Sequence, residues 1–467
     1  MFRGVVFRNG LVAVCLCVAT HGCGKHDDPS ETGFGVPLTD TGTTGTPESG
    51  TSTASTSSKE SDTSTRDDGT SSPNSSTNTW GSVSSEGSAT GSSTGVGTIG
   101  SDVSEGDTGM THEEPCKPAH TAATPPLTGP YCVGVTTMKL TDEARSEMYT
   151  ADPADKRSVL VYLFYPVLPG STNSPAPWIR PQDWPWLQGY GVSFPPNGYE
   201  NLWSNAVEDE AVAPGPFPVV FFSPGRNALT SAYTATYVEA LVSHGFVVAA
   251  INHPHISGPI HYPSGESVPA GSVSNAEIEA ASQVGAADAR FVLDQLESFN
   301  ANDPKWMGRV DLSKVGGFGH SMGGIVTVQV LVADDRMIAG GNWDGPMLGN
   351  IVTQGTSKPL FMLGSEELGY ASLSYDWGLV WDRLSGPGYV AGMAGTTHLG
   401  MSDFGLLVQH FGGIPASSGA GSIDPAKWHD ISTTFARRFF EAYLLDGDPG
   451  EIIAAASSFP EVTLQTK

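Results

Sequence analysis

No stretch of the chain leaves fewer options open than residues 315–326, VGGFGHSMGGIV. An apolar run, a serine fenced by glycines and a second apolar run read as a buried strand, a tight turn and a helix. Glycines suit such a turn because a side chain there would collide with neighbouring backbone. The serine then sits at a helix N-terminus, where unpaired N–H groups and the positive end of the helix dipole favour developing negative charge. Gly319-His320-Ser321-Met322-Gly323 is G-x-S-x-G in the strand–turn–helix setting that makes this pattern a nucleophile elbow.

The surroundings repeat the same alternation. SVLVYLFYPV (158–167), FPVVFFSPG (217–225) and FVVAAINH (246–253) read as strands, and KVGGFGHS (314–321) as the strand that feeds the elbow. Helical spacing runs through 234–245, 275–299, 323–333 and 430–447, and MIAGGNWDG, KPLFMLGSEE and GYVAGMAGTTH supply three further strand ends. Continuous apolar strands alternating with helices predict an α/β fold whose mostly parallel central sheet carries helices on both faces, the α/β-hydrolase fold. Chemistry in such a sheet sits at the carboxyl ends of its strands.

This architecture is expected only from residue 116 onward. Residues 23–115 are dominated by Ser, Thr, Gly and Asp and hold too little apolar surface to offset chain entropy. They read as a disordered tether with a root-mean-square span of roughly 50–60 Å. Before it, Arg3 and Arg8 precede the short apolar run LVAVCLCVAT, the plan of a secretory signal over 1–22. Cys23 follows in THGC, which resembles a bacterial lipoprotein signal and implies lipidation of Cys23, with ordinary cleavage near Gly22 as the alternative. The expected location is outside the cytoplasm, as an outer-membrane or cell-surface lipoprotein or as a periplasmic or secreted protein. Cys116 and Cys132 remain as an even pair, expected to form a disulfide in an oxidising compartment.

The formal net charge is −26, and the tether contributes much of it, with 15 acidic and 3 basic residues. Nothing resembles a basic patch, so nucleic acid is not an expected partner. His253, His255 and His261 lack the fixed helical spacing of a metal site, and no metal or cofactor is expected. The chain is expected to act as a monomer.

A serine needs a histidine to take its proton and an acid to orient that histidine, and in this fold they follow in the order Ser, acid, His. His398, in MAGTTHLGMSDF, follows a strand end. His410 sits in an apolar stretch and His429 precedes the last helix, so His398 is the candidate general base. For the acid, Asp344 in GGNWDGPM and Glu366 or Glu367 in FMLGSEELG all end strands, and pattern alone leaves both places open. The oxyanion hole needs the amide of the residue after the nucleophile, Met322, and a second amide from the loop after an early strand.

Residues 217–411 resemble the platelet-activating factor acetylhydrolase family of serine esterases. FFSPGRNA, SHGFVVAAINH, GHSMGG, NWDG, PLFMLGSE and GTTHLGMSDF carry the resemblance, in that order and at similar intervals. It implies Asp344 as the acid and, through a Gly-x-x-His-x-x-x-x-Asp-Phe segment at 395–404, His398 as the base. The family's oxyanion loop reads Ser-His-Gly-x-Gly. Here it reads Ser223-Pro224-Gly225-Arg226-Asn227, which puts Arg226 at the donor position and departs at Pro224 and Asn227.

The resemblance implies a serine carboxylic-ester hydrolase acting through an acyl-enzyme on short acyl esters, including those of phospholipids. Cutinase-like or lipase-like esterases share GHSMGG, and a peptidase or amidase could use the same three residues. A surface-displayed binding protein that lost the chemistry is the reading furthest from the sequence. Trp178, Trp184 and Trp186 in a Pro-rich loop, and the long insertion 253–275, could form a lid or pack as ordinary loops.

Overall fold

The structure is a computed structural model and describes residues 115–189, 194–367, 376–412 and 419–467, without the side chains of 231–235. The signal stretch, Cys23 and all but the last residue of the tether lie outside the described residues. No helix among the described residues is long and apolar enough to cross a membrane.

The strands, in chain order, are β1 (Cys132–Ser146), β2 (Lys156–Val167), β3 (Pro175–Pro177), β4 (Trp203–Glu208), β5 (Phe217–Ser223), β6 (Val247–Asn252), β7 (Ile260–His261), β8 (Ser267–Val268), β9 (Val310–His320), β10 (Met337–Trp343), β11 (Leu360–Ser365), β12 (Gly388–Met393) and β13 (Val462–Thr466). Eleven of them form one sheet in the order β13-β12-β11-β10-β9-β5-β6-β2-β1-β4-β3, and β7 and β8 pair by themselves in the 253–275 insertion. The middle of the sheet, β6-β5-β9-β10-β11-β12, is parallel throughout. Its strands read as unbroken apolar runs because both faces are covered: β5, β6, β11 and β12 are buried along their whole length. Helices Ile278–Asn302 and Met322–Ala333 pack together over one face, and Thr230–Ser243 and Pro425–Leu444 over the other.

The sheet is mostly parallel, as expected, and its flank and element boundaries refine that expectation. β2 is antiparallel to both of its neighbours, β1 and β6, while β1 is parallel to β4, so the amino-terminal flank of the sheet is mixed. β1 itself, 15 residues long, does not read as a strand in the sequence because its last five residues, DEARS, are polar and largely exposed and read as a loop. The helix expected at 430–447 runs over Pro425–Leu444, starting five residues early, and it is not the last, since helix Gly450–Ser458 follows it. Asp424 caps helix Pro425–Leu444 by accepting from the Ala426 and Lys427 amides at 3.0 Å each, and a proline is well suited to the first helical turn.

The order of the strands fixes where a site can form. From β5 the chain moves one place outward to β6, then returns across β5 to β9 and continues in the opposite direction. The connections that leave the ends of β5 and β9 therefore run in opposite directions, which makes this pair the switch point at which open α/β sheets place their ligands. At the far edge, β3 is the three-residue strand Pro175-Ala176-Pro177. Cys116 and Cys132 form a disulfide that ties the entry of the domain to the start of β1.

Candidate active site

The six parallel strands end in a row of polar residues. β6 is followed by His253, β5 ends in Ser223, and β9 ends in His320 and is followed by Ser321. β10 is followed by Asp344, β11 ends in Ser365, and a short loop after β12 carries His398.

Ser321 has φ 57° and ψ −122°, a positive φ that non-glycine residues rarely adopt. The strain is held by close packing around the turn. A Cβ on Gly319 would stand 2.2 Å from the Gly323 carbonyl oxygen, and one on Gly323 would stand 1.9 Å from that of Ser223. Only glycine fits at either place. The Ser321 amide donates to the Trp343 carbonyl at 2.8 Å, which fixes the elbow against the end of β10.

Asp344 also has a positive φ, 56°. Its carboxylate meets the His398 Nδ1 at 2.7 Å and accepts from the Ser365 amide at 2.7 Å and the Ser365 hydroxyl at 2.8 Å. Burial alone would push this carboxyl up. The imidazole of His398 and the Ser365 amide outweigh that effect and hold it below the usual carboxylate range. Asp344 is therefore an acceptor, and His398 presents Nδ1–H to it and keeps Nε2 free to take a proton. The structure thus brings Asp344 and His398 together.

Glu366 and Glu367 point elsewhere. Glu366 accepts from the Gly395 amide at 2.5 Å, and Glu367 accepts from the backbone amide of His398 at 2.8 Å. Both carboxylates thus hold the backbone of the histidine loop and leave the imidazole to Asp344.

Sequence reasoning passed over His320, although it is the residue beside Ser321 in the motif. Its Nε2 lies 2.9 Å from the His398 carbonyl oxygen, and the two rings are 4.6 Å apart. Burial, with His398 beside it, pushes its pKa down to about 3, so the ring is neutral and donates Nε2–H to that carbonyl. No hydrogen bond joins the Ser321 hydroxyl to His398 among the described residues. Such contacts are often long at rest and tighten as the reaction proceeds.

The loop after β5 abuts the elbow: a Cβ on Gly225 would lie 3.2 Å from the Ser321 Cβ. The Arg226 guanidinium donates to the Val273 carbonyl at 2.8 Å and to the Asn275 side chain at 3.1 Å. Met322 opens the elbow helix Met322–Ala333.

The tryptophan loop packs as a second apolar cluster in which Trp178 and Trp184 are buried with Ile179, Leu187, Phe404 and Leu407. Trp186 donates to the Asn227 carbonyl at 3.2 Å and so ties this cluster to the loop after β5. His253, His255 and His261 do not converge: His253 bonds Asp288 and Ser223, and His261 bonds Ser267. His410 lies at the end of helix Phe404–His410, and His429 lies within helix Pro425–Leu444. No group of His, Cys, Asp and Glu among the described residues is arranged to hold a metal ion.

A strained serine between a parallel strand and its helix, at the switch point of this sheet and beside an Asp–His pair, defines an α/β-hydrolase. Its family likeness is to the platelet-activating factor acetylhydrolases: residues 118–279 match the family model described as platelet-activating factor acetylhydrolase, isoform II. The chain is 26 % identical over 268 residues to a probable 1-alkyl-2-acetylglycerophosphocholine esterase of Arthroderma benhamiae, a match covering 52 % of this chain and 65 % of that protein. It is 30 % identical over 177 residues to the platelet-activating factor acetylhydrolase of Cavia porcellus, covering 32 % of this chain and 40 % of that one. The chain thus spans two thirds or less of these curated relatives. Among solved structures it is similar to a ferulic acid esterase from Streptomyces cinnamoneus, with a TM-score of 0.63 and 26 % identity over 76 % of this chain and 100 % of that one. The matched family segment ends before Ser321, so it contains none of Ser321, Asp344 and His398.

Proposed function

We propose that the chain is a serine carboxylic-ester hydrolase that works through an acyl-enzyme, with Ser321 as nucleophile, His398 as general base and then acid, and Asp344 as the residue that orients His398. The observation that carries this reading is the Asp344–His398 contact of 2.7 Å beside a serine held at φ 57°. Ser321 attacks the ester carbonyl while His398 takes its proton, and His398 returns that proton to the departing alcohol. Water then enters by the same route and releases the acid.

The amides of Met322 and Arg226 would receive the developing oxyanion, each donor worth about 3 kcal/mol in the transition state. The approach of the Gly225 backbone to Ser321 supports that assignment. The named relatives favour short acyl groups on glycerophospholipids as substrate. The ferulic acid esterase likeness favours a second reading, esters of hydroxycinnamic acids, because it extends over the whole of that enzyme.

Export and anchoring belong to this proposal. The signal-like residues 1–22 and Cys23 suggest an exported, lipid-modified chain, and the Cys116–Cys132 disulfide suits an oxidising compartment. The enzyme would then act as a monomer on a membrane-borne or soluble ester while held by its tether.

The test is hydrolysis of p-nitrophenyl esters from acetate to palmitate, of a 2-acetyl glycerophospholipid and of methyl ferulate, by wild type and by Ser321→Ala. Turnover strongest on acetyl esters and absent in Ser321→Ala is the expected result. Preference for methyl ferulate would move the substrate class to the second reading. A Ser321→Ala variant as active as wild type would overturn the mechanism.

A further inference from the structure

A second Ser–His–Asp chain lies beside the first, and the proposed reaction does not use it. The Ser223 hydroxyl is 2.9 Å from His253 Nε2, and His253 Nδ1 is 2.9 Å from Asp288 Oδ2. Arg157 holds Asp288 from the other side, with Nε at 3.1 Å from Oδ1 and Nη2 at 2.7 Å from Oδ2, and Arg145 adds a contact of 2.9 Å. Arg157 also reaches Glu147 at 2.9 Å and the Pro254 carbonyl at 3.0 Å. Ser223 and Asp288 are 0 % exposed and His253 and Arg157 are 1 % exposed, so no substrate reaches Ser223.

Burial opposes charge on Asp288, but Arg157 and His253 hold its carboxyl well below the usual range, so it is an acceptor. His253 then donates Nδ1–H to it, and its Nε2 hydrogen-bonds the Ser223 hydroxyl. Burying an ion pair of this kind gains little stability over apolar packing of similar volume. Its geometry gives it another use.

Ser223 is the last residue of β5, and the residues that follow it, Pro224, Gly225 and Arg226, form the loop against Ser321. The Ser223 carbonyl is the group that a Cβ on Gly323 would strike at 1.9 Å, so Ser223 is also in direct contact with the elbow. Through His253 and Asp288, its hydroxyl is fastened to helix Ile278–Asn302 and, through Arg157, to β2.

We propose that Ser223, His253 and Asp288 form a sealed brace that holds the 224–226 loop at the distance from Ser321 that the Arg226 amide needs to meet the oxyanion. Ser223 and His253 are positioning residues for acyl transfer. This inference rests on the serine-hydrolase reading above and deepens it.

The test compares wild type with Ser223→Ala and, as a second variant, His253→Gln. Three quantities are measured: the rate of fluorophosphonate labelling with the labelled residue identified by mass spectrometry, kcat and KM on p-nitrophenyl acetate, and affinity for a trifluoromethyl ketone, whose adduct oxyanion occupies the same hole. Thermal midpoints are recorded alongside. The expected result is a 10–100-fold loss in labelling rate, kcat and ketone affinity, with KM within twofold and most of the protein still folded at the assay temperature.

Rates and ketone affinity within twofold of wild type in either folded variant would overturn the inference and leave the hydrolase reading intact. So would losses no larger than the fraction of unfolded protein, and so would recovery of the label on Ser223. A wild-type enzyme that does not label at Ser321 would overturn the hydrolase reading, and this inference with it.

Discussion

Three carboxylates surround His398, and they differ in what they face. Asp344 is 3 % exposed and touches the imidazole, whereas Glu366 and Glu367 are exposed and touch backbone amides. Asp344→Asn keeps the volume and removes the charge that fixes the Nδ1–H form of His398. It is expected to lower kcat on p-nitrophenyl acetate by roughly 10³–10⁴, the scale seen when a catalytic aspartate is made neutral in other serine hydrolases. Glu366→Gln, measured in the same assay, is expected to change kcat by less than about threefold. Residue types and order alone did not separate these carboxylates, since each ends a strand. Side-chain direction separates them, and it depends on the positive φ of Asp344, which a sequence does not display. His320 was missed for a related reason: a histidine beside a nucleophile reads as a variable motif position until its partner, the His398 carbonyl, is seen across a gap of 78 residues.

Elements were legible in proportion to how completely they are buried. β5, β6 and the buried second part of β9 read directly as apolar runs, and the elbow helix announced itself by its glycines. The start of β9, residues 310–313, and β1 with its polar end did not, and the mixed flank followed from pairings that no local pattern encodes. The histidine loop depends on contacts of the same long-range kind. Asp403, just before helix Phe404–His410, accepts from the Thr236 amide at 3.0 Å and from the Thr236 hydroxyl at 2.5 Å, which ties the histidine segment to helix Thr230–Ser243. Burial, opposed by the two Thr236 bonds and reinforced by Glu239, pushes the Asp403 pKa up to about 7. The folded protein thus keeps a proton that the unfolded chain releases near pH 4. The stability this contributes is fully present below pH 4 and declines as pH rises through 7. Urea unfolding of wild type and Asp403→Asn at pH 5 and pH 8 checks this. Wild type is expected to lose more than about 1 kcal/mol relative to the variant between the two pH values.

For the whole domain, the disulfide and the edges of the sheet set the boundaries. Cys116 and Cys132 are separated by 16 positions, and closing a loop of that length contributes about 3 kcal/mol through the unfolded chain. Replacing both by serine is expected to lower stability by that amount and Tm by about 4 °C in calorimetry, without changing kcat. The composition break near residue 116 and the even cysteine pair made this boundary readable from sequence, whereas the sheet edges became visible only in the assembled fold. β3 is Pro175-Ala176-Pro177, and a proline has no N–H to offer a further strand. The opposite edge, β13, is five residues long and mostly exposed, and Lys467 follows it directly. Short edges with prolines at one end and a charge at the other resist pairing between copies. A large sheet that terminates in this way can be crowded to high local density with little tendency to seed fibrils, because a neighbouring copy finds only short edges to extend.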